Sequence, residues 1–367
     1  MRADYTRSEP ARGQFDNEHD RSSRQEMARR LAALCRGIAS HEQDRITCFD
    51  ADGHPRPFYI PRDTLTIDEA SAISILGESD LLGGVVPFRF VATKAVGHPL
   101  VHDAAVIPDG WDPDLGPSLE GTVLSGFSAF DLDDARRAGL SLLAVGPTRI
   151  KQVEATAGRG QTVVRTPDEL EASLRQLHPE TVRREGLVLE ENLLDVKTYS
   201  IGSATIFDRS IAYWGTQAIT ANREGETVYG GTCLHAVRGG LADLAACEFP
   251  IELAEAIEKA RDYDRKIFER FPEMFASRRN YDVAVGTDHR GQRRIGVLEQ
   301  SWRVGGATPA EIAAFERFEV DPACNATVCA TVEVHGDHNA APIGAMVYYA
   351  GVDPVAGPMT KYAMVME

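Results

Sequence analysis

The sequence YDVAVGTDHRGQRRIGVLEQSWRVGG, Tyr281 to Gly306, contains two strand-like runs separated by a polar turn with a glycine. Asp282 lies in the first run and Glu299 in the second. If the runs pair as an antiparallel hairpin, both carboxylates can reach one site, and paired oxygen ligands suit Mg²⁺ that also holds phosphates. Neighbours such as Val283 and Val297 indicate a largely buried setting, where two like charges need a cation. The alternative is a solvated hairpin with surface carboxylates.

A lysine and a glycine-containing loop precede this hairpin in the chain. Lys151 lies in a strand-like run, and Gly158, Gly160 and Gln161 follow within ten residues. A strand lysine can place its ammonium on a phosphate while the N–H groups of a glycine turn approach the same oxygens. The spacing of a Walker A loop is absent, so the segment is not a P-loop. We therefore predict a phosphate contact here, although a strand followed by a glycine turn is also a common structural motif.

The segment from Leu187 to Leu193 reads as a buried strand that breaks into a polar elbow. Free backbone donors and acceptors at Glu190, Glu191 and Leu193 are suited to reading the edge of an adenine ring. The order of lysine and glycine loop, elbow and two acids predicts a site for ATP with Mg²⁺.

In that order and at those separations, the residues resemble the ATP-grasp superfamily. This resemblance implies a fold of the α/β class, in which two α+β lobes hold nucleotide between them after a small α/β pre-ATP-grasp domain. It also implies an earlier phosphate-binding lysine, for which Lys94 is suitably placed. The metal motif of the superfamily, commonly Glu-x-Asn-x-Arg, reads here as Glu299-Gln300-Ser301-Trp302-Arg303. Ser301 thus stands where the superfamily usually has asparagine, and we assign it as the third metal-binding residue.

Longer strings resemble, more specifically, an uncharacterised bacterial family of ATP-grasp-like proteins known only as a domain of unknown function. They include GGVVPFRFVATKAVGHPL, VLEENL and LEQSWRVGG. The resemblance extends over roughly residues 45–364. It implies a fold and a nucleotide, and it does not identify a substrate.

Two arginines are candidate catalytic residues, because a planar guanidinium can neutralise charge that develops on a transferred phosphate. They are Arg303 and Arg279. Salt bridges with nearby acids are the alternative for both residues. The glycine-rich segment from Gly230 to Gly240, with His235 and Arg238, is interpreted either as a mobile cover for the site or as a plain surface loop.

The resemblance implies an ATP-dependent ligase that activates a small-molecule or peptide carboxylate as an acyl phosphate and joins it to an amine. An ATP-dependent kinase and a non-catalytic nucleotide-binding protein remain as alternatives. The expected partners are ATP and an unidentified substrate, and a homodimer is left open.

The charge and composition of the chain limit which binding partners and which cellular locations are expected. The 367 residues have a formal charge of −16, which opposes nonspecific binding to nucleic acid or to an anionic membrane. The six cysteines show no paired spacing of a disulfide scaffold, and the N-terminus lacks an apolar leader. We therefore expect a cytoplasmic protein without nucleic-acid or membrane partners.

The chain divides into four predicted parts. Residues 1–24 are polar and aperiodic, which predicts a disordered tail before a helix that starts at Glu26. Residues 25–105 are expected to form the pre-ATP-grasp domain, 106–190 the first lobe, and 191–367 the second lobe with a C-terminal extension. Thr66 and Thr166 are predicted to cap helices, and the longest predicted helix begins at Ile251.

Overall fold

The structure is a computed structural model that describes residues 18–39, 45–49, 52–102, 106–153, 160–221, 225, 227–336, 340–354 and 356–366. The helices in these ranges are α1 (Glu18–Leu34), α2 (Ile67–Ala72), α3 (Leu115–Ser118), α4 (Leu132–Leu143), α5 (Pro167–Leu174), α6 (Pro179–Glu185), α7 (Leu241–Ala245), α8 (Ile251–Arg270) and α9 (Thr308–Val320). None of them combines the length and apolar character that a bilayer-crossing helix requires.

The strands in the same ranges form four sheets. They are β1 (Ile38–Ala39), β2 (Arg45–Phe49), β3 (Pro55–Tyr59), β4 (Leu65–Thr66), β5 (Gly84–Val86), β6 (Gly126–Ala129), β7 (Thr148–Gln152), β8 (Gln161–Val164), β9 (Leu187–Glu191), β10 (Leu194–Ile206), β11 (Arg209–Ala221), β12 (Thr227–Arg238), β13 (Phe275–Ala276), β14 (Arg278–Thr287), β15 (Arg293–Ser301), β16 (Ala326–His335), β17 (Met346–Asp353) and β18 (Gly357–Val365).

The first lobe is a four-stranded antiparallel sheet in the order β6-β9-β7-β8, with α4 and α5 on one face. Asp131 begins α4 and Thr166 begins α5, because each side chain accepts a hydrogen bond from an N–H of the first turn. Ile150, Leu170 and Leu189 lie in the core between sheet and helices. Because alternate strand residues point to opposite faces, the other face presents the polar side chains of β7 and β9.

The second lobe is an eight-stranded sheet in the order β15-β14-β10-β11-β12-β16-β18-β17. Helix α8 packs against the face that includes Tyr281 and Val283. Helix α9 packs on the opposite face, where its Glu311 contacts Tyr213 of β11. The hairpin of β14 and β15 therefore lies at one edge of a sheet that is supported from both sides.

The N-terminal region is joined to the second lobe by shared sheet and shared core. Strand β5 pairs with β13, which comes from the second lobe, and helix α1 packs against β17. Leu31 and Ile46 are buried in one apolar cluster with Tyr213 and Phe315 of the second lobe. Residues 25–105 therefore share part of their core with the second lobe, beside a smaller cluster of their own around Leu81 and Val85. The expected domain boundaries stay a prediction.

Helix α1 begins earlier than the sequence indicates. The expected tail covers residues 1–24, of which 1–17 lie outside the described residues and 18–24 are helical. His19 N donates a hydrogen bond to Asp353 Oδ2 at 3.2 Å, and Ser22 Oγ donates to Tyr348 O at 3.1 Å. The prediction of disorder is wrong for 18–24, because contacts with a distant strand order a polar segment that has no apolar periodicity of its own.

Two further expectations are corrected by the fold. Cys35 and Cys48 are joined by a disulfide between the end of α1 and β2, with Cα atoms 5.7 Å apart, although their spacing did not suggest a pair. Most of the glycine-rich segment, from Gly230 to Arg238, is neither a mobile cover nor a surface loop, because it lies in β12, between β11 and β16. His235 stacks there on Trp214 with ring centroids 4.0 Å apart.

The predicted α/β fold with two α+β lobes is confirmed. The lobes meet through β15, where Val123 forms a parallel bridge with Val297. A 3₁₀ turn from Lys94 to Gly97 packs against both β9 of the first lobe and β15 of the second. This short segment places N-terminal residues at the junction between the lobes.

Candidate functional site

The acid hairpin brings Asp282 and Glu299 directly opposite each other in β14 and β15. The register between the strands shifts by one residue next to this pair, which leaves Leu298 as the extra residue of a β-bulge. Without that shift, the strict alternation of a strand would carry Glu299 on the same face as Val297. The bulge therefore turns Glu299 towards the face that carries Asp282.

Asp282 is held by uncharged donors. Its carboxylate accepts hydrogen bonds from Ser200 Oγ at 2.8 Å, Gln217 Nε2 at 3.2 Å and Asn280 Nδ2 at 3.4 Å. Burial, and next the charge of Glu299, raise the pKa of Asp282 to about 6. A carboxylate in this condition gains a proton or a metal ion readily, so its chemistry fits a divalent cation.

Lys94 reaches the second of these acids. Its Nζ lies 2.6 Å from Glu299 Oε2, and only 7% of the lysine is exposed. Thr93 Oγ1 caps the 3₁₀ turn by accepting from Ala95 N at 3.3 Å. The predicted early phosphate lysine and a predicted metal ligand, 205 positions apart in the chain (299 − 94), thus meet at the lobe junction.

Lys151 forms a second lysine–glutamate pair inside the first lobe. Its Nζ lies 2.5 Å from Glu190 Oε1, and both residues are buried. Burial acts to raise the pKa of Glu190, but the charge of Lys151 and the contact with His98 outweigh it and lower the pKa to about 2. Two residues that the sequence assigned to nucleotide binding therefore contact each other.

His98 also belongs to this cluster, although the sequence argument gave it no role. Its Nε2 lies 3.6 Å from Glu190 Oε2, and the residue is 2% exposed. The only signal in the sequence is its position four residues after Lys94. The structure places both residues at the ends of one short segment.

Arg149 is a second residue that sequence reasoning missed. Its guanidinium donates to Gln161 Oε1 at 3.0 Å and to Asn192 Oδ1 at 2.8 Å. Within the described ranges, no carboxylate forms an ion pair with it. Arg149 and Lys151 are two residues apart in β7, so their side chains lie on the same face of the strand. This face of the first lobe therefore carries two cations and one buried acid, Glu190.

The glycine loop is described only in part. Gly158 lies outside the described residues. Gly160 has φ +65°, and its carbonyl accepts from Gln152 N at 3.0 Å, which closes the start of β8 onto β7. Gln161 contacts Arg149 as stated above. Phosphate binding by this loop stays a prediction.

The elbow differs from the expectation in one respect. Glu191 N and Asn192 N donate to Ser125 O at 2.8 Å and Pro147 O at 2.9 Å, so the N–H of Glu191, one of the predicted donors, is not free. The side chain of Glu191 accepts from Ser125 N at 3.1 Å and lies 3.4 Å from Arg294 Nε of the second lobe.

Leu193 is buried beside Ala284 of the second lobe. The elbow residues that follow β9 therefore hold the lobes together in addition to their predicted nucleotide contact.

Arg279 does not reach the acid face. Its guanidinium lies 3.2 Å from Asp264 Oδ2 and 3.0 Å from Glu78 Oε1, and it stacks over Phe268 with 4.0 Å to the ring centroid. The reason is strand alternation, which directs Arg279 to the α8 side and Asp282 to the other. The salt-bridge alternative describes Arg279, and the predicted catalytic assignment is corrected.

Arg303 and Ser301 stay on the side of the acids. Ser301 pairs with Asn280 across the hairpin, two residues after Glu299 and on the same face. Arg303 donates from Nη1 to Val304 O at 3.1 Å, and burial lowers its pKa. In the part of the chain that the structure describes, Arg303 forms no ion pair, so its charge is available to an anion.

A buried polar layer supports the hairpin from below. Glu311 of α9 is 1% exposed and accepts from Arg278 Nη2 at 2.8 Å and from Tyr213 OH at 2.6 Å. Tyr213 OH also lies 3.1 Å from Asn280 Oδ1, next to Asp282. Helix α9 carries three acids, Glu311, Glu316 and Glu319, so residue type alone did not single out Glu311.

The described part of the chain contains no group of three or more histidine, cysteine, aspartate and glutamate side chains arranged around a metal position. Asp282 and Glu299 would therefore supply two carboxylate ligands to a cation. The cation would need further oxygen ligands from the molecule that binds with it.

Three comparisons relate the chain to known proteins. The sequence matches the family described as "Protein of unknown function (DUF3182)" over residues 9–363, which confirms the expected family of unknown function. No curated protein matches it.

Three solved structures are similar to part of the chain. N5-carboxyaminoimidazole synthetase from Staphylococcus aureus, complexed with ADP, is 13% identical, with coverage of 68% of this chain and 66% of that one and a TM-score of 0.42. A biotin carboxylase–β,γ-ATP complex from Campylobacter jejuni is 11% identical, with coverage of 68% of this chain and 61% of that one and a TM-score of 0.43. Phosphoribosylamine–glycine ligase from Thermotoga maritima is 14% identical, with coverage of 83% of this chain and 79% of that one and a TM-score of 0.43. The chain spans slightly less than two thirds of the first two structures.

Proposed function

The chain belongs to this family of unknown function, and we propose that it is an ATP-dependent ligase that activates a carboxylate as an acyl phosphate and joins it to an amine. The observation that carries the proposal is the meeting of Lys94 with Glu299 beside Asp282 at the lobe junction. A lysine for phosphate and two acids for Mg²⁺ are the groups that phosphoryl transfer from ATP requires.

The charges of the site support nucleotide binding with metal. Asp282 and Glu299 face each other, and the one lysine paired with them, Lys94, contacts Glu299, which leaves a net negative charge for a cation. When bound, Mg²⁺ would neutralise the charge that develops on the transferred phosphoryl group. Lys94 and Lys151 would bind phosphate oxygens, and Arg303 would hold an anion on the same side as the acids.

In the proposed reaction, a carboxylate oxygen of the substrate attacks the γ-phosphorus of ATP, and the bond to the β,γ-bridging oxygen breaks to release ADP. The nitrogen of an amine then attacks the carbonyl carbon of the acyl phosphate. A C–N bond forms, inorganic phosphate leaves with the electrons of the C–O bond, and the amine gives one proton to solvent. The residues of this chain bind and orient the phosphates in the first step.

The proposal is tested by the dependence of product release on two co-substrates. ADP and phosphate would be quantified with pooled carboxylates alone, pooled amines alone and both pools together. A ligase releases both products continuously only when both pools are present. Sustained ADP release with one pool and no free phosphate identifies the alternative, a kinase, and binding of ATP without any release identifies a non-catalytic nucleotide-binding protein.

ATP binding itself is measured before any substrate is known. By mass action, a ligand at about a hundred times its dissociation constant stabilises the fold by roughly 2.7 kcal/mol, which raises the melting temperature. We expect this shift with ATP and Mg²⁺ together. Absence of any shift at millimolar MgATP, in a sample that is folded by circular dichroism, contradicts nucleotide binding.

A further inference from the structure

His98 is a buried side chain with incomplete hydrogen bonding in the lobe junction. It is 2% exposed, and its Nδ1 has no hydrogen-bond partner among the described residues. Its Nε2 faces Glu190 Oε2 at 3.6 Å, which is longer than a hydrogen bond. A buried imidazole in this position contributes little to packing that an apolar residue could not provide.

Glu190 is incompletely bonded on the same side. Its Oε1 lies 2.5 Å from Lys151 Nζ, whereas Oε2 has no hydrogen-bond partner in the described part of the chain. Its pKa is lowered to about 2, so the carboxylate is ionised at neutral pH. Leaving a buried charged oxygen without a donor costs about 1–3 kcal/mol or more. Such atoms in native proteins call for a functional explanation.

The segment that carries His98 is clamped by both lobes. Ser128 Oγ of β6 donates to Ala95 O at 2.5 Å, and Gln300 Nε2 of β15 donates to Thr93 O at 2.7 Å. Lys94 at one end contacts the second lobe, and His98 at the other contacts the first. These hydrogen bonds set the position of the imidazole relative to Glu190.

Charge balance explains what the imidazole can do. If Glu190 binds Lys151 alone, the pair is neutral and attracts a phosphate weakly. A donor on Oε2 draws the carboxylate towards itself and leaves more of the ammonium charge for an anion. His98 Nε2 is the nearest such donor to Oε2 that the contacts show.

We propose that His98 is a positioning residue of the nucleotide site: its Nε2, which faces the second oxygen of Glu190 at 3.6 Å, comes within hydrogen-bond distance of that oxygen when nucleotide binds and thereby directs the Lys151 ammonium to the phosphates. This inference rests on the proposed function, because it assumes that the anion at Lys151 is a nucleotide phosphate. It adds a residue whose effect passes through Glu190 and does not require contact with ATP.

The test is the affinity for ATP in the presence of Mg²⁺, measured by isothermal titration calorimetry on the full chain. His98→Leu removes the donor, and His98→Gln retains an N–H at a similar reach. We expect the leucine variant to bind about tenfold more weakly, as for the loss of one hydrogen bond to a charged group, and the glutamine variant to recover most of the affinity. His102→Leu is the matched control, because His102 pairs with Asp134 at 2.7 Å outside the junction.

A double variant separates positioning from a structural role. Because His98 acts through the same carboxylate as Lys151, His98→Leu with Lys151→Ala should bind no more weakly than Lys151→Ala alone. Additive losses, or a leucine variant with wild-type affinity, overturn the proposal. So does a glutamine variant that binds as poorly as the leucine variant. If the leucine variant does not fold, His98→Asn, which is too short to reach Glu190, replaces it.

Failure of the proposed function gives a different result. In that case the wild-type chain binds no ATP. The wild type, His98→Leu, Lys151→Ala and the double variant are then compared by their free energies of unfolding without ligand. Non-additive losses for His98 and Lys151 then retain the coupling through Glu190 while rejecting the nucleotide. Additive losses reject the coupling as well.

Discussion

The two lysine–glutamate pairs at the lobe junction differ in burial and in the balance of charge around them. The side chains of Lys151 and Glu190 are 4% and 1% exposed, whereas those of Lys94 and Glu299 are 5% and 38% exposed. The pKa of Glu190 is lowered to about 2, and that of Asp282 beside Glu299 is raised to about 6. The acid of the first lobe, Glu190, therefore has enough cationic partners. The two acids of the second lobe, Asp282 and Glu299, have too few.

This difference separates a pair that holds the fold from a pair that can exchange partners. A closed, buried ion pair is lost only at a large cost, because each charge would remain without a partner. A carboxylate that is partly open to solvent and repelled by a neighbour can release its lysine to a phosphate and accept a metal instead. We therefore expect variants of the first pair to lower stability most, whatever they do to nucleotide affinity, and variants of the second to change ligand binding without a comparable loss of stability.

The largest expected effect is on the stability of the first pair. Glu190→Gln leaves the buried ammonium of Lys151 without a carboxylate, and breaking such a pair should lower the free energy of unfolding by about 3–5 kcal/mol. Glu299→Gln should lower it far less, because loss of the ion pair is offset by relief of repulsion with Asp282. Urea unfolding of both variants measures the contrast, and equal losses would show that the two pairs serve the fold alike.

The next effect is on turnover through the second pair. Glu299→Gln keeps the size of the side chain but removes a metal ligand, so we expect a rate loss of at least about 10²-fold, roughly 2.7 kcal/mol of transition-state stabilisation. Asp282→Asn should behave alike. The measurement is the rate of ADP release once a substrate pool has been found.

The matching control is the double variant of these two acids. Because both acids would bind one metal, the double variant should be little slower than the slower single variant. Rate losses that multiply, or a full MgATP melting shift in unstable single variants, would identify carboxylates that serve the hairpin only.

Nucleotide affinity should fall when either lysine is removed. Losing one charge-assisted contact with a phosphate costs about 1.5–3 kcal/mol, so Lys94→Ala and Lys151→Ala should each bind ATP more than tenfold more weakly. Lys361→Ala is the control, since Lys361 pairs with Glu333 at 3.1 Å in β18, near the other edge of the eight-stranded sheet. A titration with a fluorescent nucleotide measures all three, and equal affinities would remove the lysines from the site.

The smallest effect is the pH dependence of stability without ligand. The folded pKa of Asp282 is raised to about 6, so the folded protein binds this proton more tightly than the unfolded chain, and stability falls as pH rises from about 4 to 6. The folded pKa of Glu190 is lowered to about 2, so its contribution is present above about 4 and is lost as pH falls towards 2.

The midpoints of urea unfolding, measured from about pH 2 to pH 6, give the pH dependence of stability for both carboxyl groups. Asp282→Asn should remove the first dependence, and Glu190→Gln should remove the second. A variant that retains its slope would assign the titration to another group.

Some elements could be predicted from sequence because their signals are local. The caps at Thr66 and Thr166 and the long helix from Ile251 are all observed, since a capping side chain and a 3.6-residue period act within a few residues. Helix α1 before Glu26 was mispredicted, and so was the glycine-rich part of the central strand β12, which was interpreted as a cover or a loop. Both depend on neighbours far along the chain, α1 on β17 and β12 on β16.

The candidate site shows the same division. Lys151, Asp282 and Glu299 could be selected from residue type and order, and Lys94 from the family resemblance. The structure brings Lys94 and the two acids together. The wrong face of Arg279 follows from strand alternation, which a correct β14 assignment would have revealed. The partners Arg149 and Glu311 carried no local signal, and His98 carried only its position four residues after Lys94.

The sequence by itself determined helix caps and strand-like runs, because these signals act within a few residues, and its resemblance to a known family implied the two-lobe α/β fold and the types of residue at the junction. Only the tertiary structure decided which charges meet. A one-residue bulge at Leu298 turns Glu299 to the side of Asp282, and a clamped segment brings Lys94 to one lobe and His98 to the other. These pairings depend on contacts between distant parts of the chain, and no spacing in the sequence encodes them.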